Sequence, residues 1–227
     1  GIVLKSIDFH ETSKIVTFFT REHGKLTGIL KGIRKDPKKF GSNVDRFSLN
    51  DIVFYPSRHS EIHLVSQCDL KNYYFPVRED LKKSLAASYI LELVHLIMPA
   101  EDVNLKVFTL LHDFLETLCL IPETVSRVDL NQLVHMFQIK ILLFSGFRPH
   151  LDSCIKCKKT VDIDARFSLK EGGLICGRCP APAEESHPIS PGTVATILHV
   201  ERNSWENCLR LRFPEAVRST SSSTRRS

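Results

Sequence analysis

The sequence predicts an α+β multidomain protein with an N-terminal five-stranded OB-type β-barrel, a central α-helical domain and a four-cysteine zinc-ribbon-like element. Three observations support this prediction. Short β-branched and aromatic runs fill the first 75 residues, helical apolar periodicity begins at Pro76, and four of the seven cysteines form two C-x2-C pairs. The predicted boundaries are 1–75 for the barrel, 76–150 for the helical domain, joined by a helix over 190–200, 151–189 for the cysteine element, and 214–227 for a disordered, low-complexity tail.

The barrel prediction depends on five short runs divided by turn residues. Strands are expected over 1–8, 14–20, 25–31, 51–55 and 61–65. His23 and Gly24 provide a tight turn between the second and third strands, because glycine tolerates a positive φ. Five strands in a chain of this length fit an OB-type barrel, whose sheet face and loops commonly bind nucleic acid.

A basic segment, residues 31–41, follows the third predicted strand. Its glycine and proline content and its few apolar residues predict a mobile, solvent-facing loop, with Phe40 available to stack on a base. The alternative is a solvated loop whose charges only keep the protein soluble. Its place after a barrel strand favours DNA-phosphate contacts by five residues: Lys31, Arg34, Lys35, Lys38 and Lys39.

From Pro76 the apolar period becomes helical. Helices are predicted over 78–97, 103–118 and 130–142, the last ending near Gly146, a residue type that suits a helix C-terminus. In the first of them, Leu81, Leu85 and Tyr89 recur every four residues beside a second apolar stripe. The polar face of such a bundle can dock a partner, but the sequence identifies none.

The two cysteine pairs have the spacing of a tetrahedral zinc site. Cys154 and Cys157 are separated from Cys176 and Cys179 by 18 residues, enough for a hairpin that bends at Gly172 and returns the second pair to the first. Two disulfides or four free thiols are the alternative. Four cysteine ligands leave no open position for water, so we expect one structural Zn²⁺ and not a catalytic one.

The remaining chemistry-bearing residues do not indicate an enzyme. No nucleophile elbow, Walker A lysine or zincin histidine pair is present, and Cys119 is predicted to be a small core residue. We therefore predict no catalytic residues, and a zinc-dependent hydrolase is disfavoured because four thiolates close the metal site. The odd cysteine count favours a reducing compartment, and the apolar runs are too short to span a membrane. A cytoplasmic location is expected.

Several segments resemble a known bacterial family. Residues 1–6, 11–25 and 31–35 are similar to the opening of the recombination mediator RecO family, and residues 145–154 and 167–176 continue the likeness through the first cysteine pair to the second. The matches are short, but their order and spacing along residues 1–200 are specific.

The resemblance implies a non-catalytic DNA-binding mediator. RecO-like proteins bind single- and double-stranded DNA, anneal complementary strands, and work with RecR and single-stranded-DNA-binding protein to help load RecA at gaps. It implies a bacterial, nucleoid-associated protein whose basic barrel surface maps to the five cations of the segment 31–41 and whose zinc motif is intact. The competing hypothesis is a zinc-containing interaction adaptor without direct DNA contact.

The resemblance leaves two expectations about the chain ends. Little precedes the first strand, so a few residues of the family's barrel are expected to be missing or processed. Ser190 is expected to cap the helix over 190–200, and the helical part after it is expected to be shortened relative to the family.

Overall fold

The computed structural model describes residues 1–36, 40, 44–121, 130–161, 164–180 and 185–210. These residues form two compact units, Gly1–Leu130 and a second unit that begins at Asn131. The division at Leu130 falls inside the span 76–150 that the sequence predicted as one helical domain. The four-part domain assignment therefore stays a prediction, and its tail, 214–227, lies outside the described residues.

Five strands close into a barrel in the first unit, as predicted. Their order is β1-β2-β3-β5-β4, with antiparallel pairs except for β3 and β5, which are parallel. The fifth strand extends well beyond its predicted end, because β4 pairs with it as far as Asn72. The strand bounds are Ile2–Phe9 (β1), Ser13–Thr20 (β2), Gly24–Leu30 (β3), Leu49–Tyr55 (β4) and Ile62–Asn72 (β5).

The turn between β2 and β3 requires glycine at position 24 for two reasons. Gly24 has a φ of 64°, and a Cβ added there would lie 2.2 Å from the backbone oxygen of Asp102. The Glu101 N–H donates to the Lys25 carbonyl at 2.8 Å, and Lys25 Nζ donates to the His95 carbonyl at 2.7 Å. These contacts hold the connection between the next two long helices against the barrel.

Three helices follow the barrel in the same unit: Phe75–Glu79 (α1), Leu81–Ile97 (α2) and Leu105–Leu120 (α3). Asp80 caps α2 by accepting from the N–H groups of Lys82 and Lys83. Of the two apolar stripes on α2, the helix buries the one that contains Ile90 and Val94. No helix in the described ranges is long and apolar enough to cross a membrane.

The second unit contains three more helices and a small sheet. Helix α4 spans Leu130–Phe144 and ends as predicted, because Gly146 takes a φ of 85° and Phe147 N–H donates to the Leu142 carbonyl at 2.8 Å. The strands are Arg166–Ser168 (β6), Gly173–Ile175 (β7) and Ser186–Pro188 (β8), in the antiparallel order β7-β6-β8. The last helices are Pro191–Arg202 (α5), capped by Ser190 as predicted, and Trp205–Cys208 (α6).

Two buried lysines satisfy the C-terminal carbonyls of other helices. Lys83 of α2 donates to the Ile121 carbonyl at 2.6 Å, at the end of α3. Lys140 of α4 donates to Val200 and Asn203 carbonyls at 2.9 and 2.6 Å, at the end of α5. A cation at a helix C-terminus is favourable, and these carbonyls have no partner within their own helices. Burial lowers the pKa of Lys140.

We expect Lys140→Ala to destabilise the protein by about 1–3 kcal/mol, because it leaves the buried Val200 and Asn203 carbonyls with only the weak Cys208 S–H donor, at 3.8 and 3.9 Å. Thermal or urea unfolding measures the change. The matched control is Lys159→Ala, at an exposed lysine, which should change the free energy of unfolding by less than about 0.5 kcal/mol. Equal effects of the two substitutions would show that Lys140 does not secure α5.

Candidate metal centre and nucleic-acid interface

The β6–β7 hairpin brings the two cysteine pairs together, as the sequence predicted. Gly172 takes a φ of 65° in its turn, and a Cβ on Gly173 would lie 2.5 Å from Ile155 Cγ2, so the hairpin packs closely on the first pair. Ile155 N–H donates to the Leu174 carbonyl at 2.8 Å, which fixes this approach. The first pair sits in a turn closed by Lys158 N–H on the Cys154 carbonyl.

The four sulfur atoms have the geometry of a metal site. The Sγ atoms of Cys154, Cys157, Cys176 and Cys179 all lie within 4.8 Å of one another. The Cys157 and Cys176 sulfurs are 3.7 Å apart, close to the edge of about 3.8 Å that Zn–S bonds of about 2.3 Å give in a tetrahedron. All seven cysteines are described and all are free thiols. The four residues can therefore hold one tetrahedral metal ion.

The environment of the sulfurs favours thiolates at two positions. Burial raises the pKa of the Cys154 thiol, but the backbone N–H groups of Cys157, Cys176 and Lys156 act on it more strongly together and hold its pKa at about 6. The Arg178 N–H lowers the pKa of Cys176. The hydrogen bond to Cys176 raises the pKa of Cys179 to about 12. Four adjacent thiols cannot all ionise unless a cation compensates their charge.

The remaining cysteines lie away from this centre. Cys68 and Cys208 are fully buried. Cys119 is half-buried on α3 and burial raises its pKa, so the prediction of a core position was only partly right. A raised pKa disfavours a reactive thiolate at neutral pH.

The predicted basic segment begins as an ordered turn on the barrel. Gly32 has a φ of 81°, its carbonyl accepts from Lys35 and Asp36 N–H groups, and the Arg34 N–H donates to the Thr12 carbonyl at 3.0 Å. Ile33 is only 2% exposed and anchors the turn in the barrel core. The described cations face solvent as predicted, but the expectation that the segment has too few apolar residues to bury any of itself was wrong at Ile33.

Three of the five predicted DNA-binding cations are described. Lys31, Arg34 and Lys35 are all exposed around the turn, and we call them the basic turn. Arg34 lies 3.6 Å from the Asp8 carboxylate in an exposed pair, which contributes little energy and leaves the guanidinium accessible. Lys31 and Lys35 form no ion pair with another described residue. Lys38 and Lys39 lie outside the described residues.

The predicted role of Phe40 was wrong. Its side chain is 1% exposed and packs in the barrel core with Ile33 and Val44, so it cannot stack on a base. Sequence reasoning also missed that β4 and β5 carry exposed apolar side chains on the outside of the barrel, including Tyr55 at 61% and Leu64 at 40% exposure. The unbroken apolar run from Ile52 to Tyr55 was the available signal, because a strand with one wet face normally alternates.

Comparison with known proteins agrees with this architecture. Two family models match the chain: Recombination protein O N terminal over residues 1–74, and Recombination protein O C terminal over residues 78–224. A protein of Alkaliphilus metalliredigens named DNA repair protein RecO is 35% identical, covering 79% of this chain and 70% of that relative. Proteins of the same name from Syntrophus aciditrophicus and Moorella thermoacetica are 33% and 31% identical over 94% of this chain. The aligned regions cover 82% and 77% of those two relatives. The chain therefore belongs to the RecO family of DNA repair proteins.

Proposed function

We propose that this protein is a non-catalytic recombination mediator that binds single- and double-stranded DNA and anneals complementary strands. The basic turn is the observation that carries the proposal, because an ordered cluster of exposed cations on an OB-type barrel is suited to phosphate contacts. Neutralising the phosphates reduces the repulsion between two backbones, and base pairing then selects the partner strand. Family membership adds RecR and single-stranded-DNA-binding protein as proposed partners. Together with them, the protein would help to load RecA onto DNA.

We propose that the four-cysteine site holds one structural Zn²⁺. Zinc is coordinated as a tetrahedron by four thiolates in structural sites, and the sulfur spacing fits that geometry. The metal would compensate the charge of adjacent thiolates and join the first cysteine pair to the β6–β7 hairpin. The three strands around it are only three residues long each, so metal binding would supply much of their stability.

Replacing the basic turn by Lys31→Ala, Arg34→Ala and Lys35→Ala together should weaken binding to DNA of any sequence. Each lost phosphate contact reduces the log–log slope of affinity against salt by about 0.7 on single strands and about 0.9 on duplex. The slope of the triple variant should therefore be smaller by about 2 on single strands and by about 3 on duplex. Fluorescence anisotropy from low to moderate salt measures both slopes.

The matched control removes three exposed cations elsewhere, by Lys82→Ala, Lys159→Ala and Arg210→Ala. This control changes the net charge equally and should keep the wild-type slopes. Equal loss in the two triple variants would mean that only net charge matters, and a flat salt response of the wild type would contradict electrostatic binding.

Metal binding should release protons, because Cys179 is protonated in the metal-free protein and must bind as a thiolate. At neutral pH we expect at least about one proton per Zn²⁺, and more as the pH falls through about 6, where Cys154 also becomes protonated. Metal affinity should weaken in the same pH range. Calorimetric titration in buffers of different ionisation heat counts the protons.

Two variants make this measurement specific. Cys179→Ser should release about one proton fewer per metal ion, whereas Cys119→Ser, outside the cluster, should release the wild-type number. Binding without proton release, or a stoichiometry far from one Zn²⁺ per chain, would contradict the four-thiolate site.

An interaction adaptor is the second candidate, favoured by an exposed apolar stripe on α2. Leu81, Leu85 and Leu96 are 74%, 62% and 72% exposed, although sequence periodicity alone would place two of them on a packed face. If adaptor function is the main one, Leu85→Ser should abolish capture of single-stranded-DNA-binding protein, and the basic-turn variant should not impair recombination. If the basic-turn variant instead lost strand annealing, that result would support the mediator hypothesis.

A further inference from the structure

The outside of the β4–β5 strand pair is apolar. Val53, Tyr55, Ile62 and Leu64, here called the β4–β5 face, are 50%, 61%, 37% and 40% exposed. Their neighbours along the strands, including Phe54 and Val65, point inward and pack against the barrel core. A sheet with one wet face normally places polar side chains outside, so an apolar outer face favours contact with a ligand.

Strand register makes the face continuous with the basic turn. Tyr55 pairs with Leu64 across β4 and β5, and Leu64 pairs with Ile29 on β3. These three strands together span about 10 Å, since neighbouring strands are about 4.8 Å apart. Lys31 follows Ile29 by two residues, lies one residue beyond the end of β3 and is exposed. The apolar face and a cation of the basic turn are therefore neighbours.

The charges around the face suit a polyanion. The loop between β4 and β5 carries the exposed Arg58, so a positive charge lies at one end of the face as well as beside β3. Three nearby acids have partners: Asp51 pairs with Lys71 at 2.9 Å, Asp69 accepts from the Gln67 amide at 2.5 Å, and Glu101 lies 3.1 Å from His63 Nε2. Glu61 is the exposed acid of that loop. An exposed aromatic ring flanked by cations is the arrangement with which proteins bind single-stranded nucleic acid.

We propose that the β4–β5 face is a base-stacking surface for single-stranded DNA, with Tyr55 as its central contact. This inference rests on the proposed DNA-binding function and deepens it. Phosphates contact the basic turn while unpaired bases lie on the apolar face. Bases inside a duplex are already stacked on each other, so only single strands can use Tyr55. The protein then distinguishes an unpaired strand from a duplex without reading sequence, as a mediator that acts at gaps requires.

Tyr55→Leu tests the proposal because it removes the aromatic ring and keeps an apolar side chain. Affinity for a single-stranded oligonucleotide should fall about 5- to 150-fold, the range for loss of one stacked base. Affinity for duplex of the same length and the slope against salt should stay at wild-type values. The matched control is Tyr89→Leu on α2, a tyrosine that is 47% exposed outside the barrel, and it should leave all three unchanged.

An abasic oligonucleotide of the same length gives the second measurement. Wild type and Tyr55→Leu should bind it equally, because it offers phosphates and no bases.

Equal losses of affinity for single strand, duplex and abasic strand would overturn the proposal, and so would an unchanged single-strand affinity. If Tyr55→Leu no longer bound single-stranded-DNA-binding protein but kept its affinity for DNA, the face would be a protein-docking surface, which would also overturn the proposal. These outcomes leave the proposed function standing if wild type binds DNA, whereas a wild type that binds neither form of DNA would overturn both.

Discussion

The parallel pairing of β3 with β5 is the contact on which the barrel depends. Thr27, Gly28 and Ile29 pair with Ile62, His63 and Leu64, and a Cβ at Gly28 would lie 2.4 Å from Val65 Cγ2, so close approach requires glycine there. Parallel strands need a long crossover. The crossover over 31–61 contains both the basic turn and β4, so the contact that closes the barrel also places the candidate phosphate contacts beside the apolar face.

Local signals in the sequence were sufficient to predict the secondary-structure elements, but not to predict where every side chain points. The strands, the turn at Gly24 and the four-cysteine cluster follow from patterns a few residues long. The position of Phe40 does not, because the composition of a basic segment does not show where its one aromatic ring points. Helix α2 carries two apolar stripes, and only tertiary packing selects the buried one. Likewise, β5 continues through Asp69 and Lys71 because β4 offers backbone partners.

Polar contacts, one buried and the others at the surface, link segments of the second unit where its apolar core is small. Lys140 secures the end of α5 with two hydrogen bonds. Near it in sequence, Arg148 bonds Glu201 at 3.2 Å and Asp152 at 3.1 Å. The proposed metal would add to the backbone hydrogen bonds, such as Ile155 N–H to the Leu174 carbonyl, that already hold the first cysteine pair against the β6–β7 hairpin. The cysteines, which have the most distinctive chemistry, are therefore proposed to stabilise the fold, while the basic turn and one exposed tyrosine on the barrel are the proposed DNA contacts.

Amide hydrogen exchange of the zinc-loaded chain, with and without a single-stranded oligonucleotide, tests this division of roles most directly. The account predicts added protection over residues 29–35 and 53–64 of the barrel, and none at the two cysteine pairs. Protection confined to residues 154–179, with the barrel unchanged, would contradict it and assign DNA binding to the metal centre.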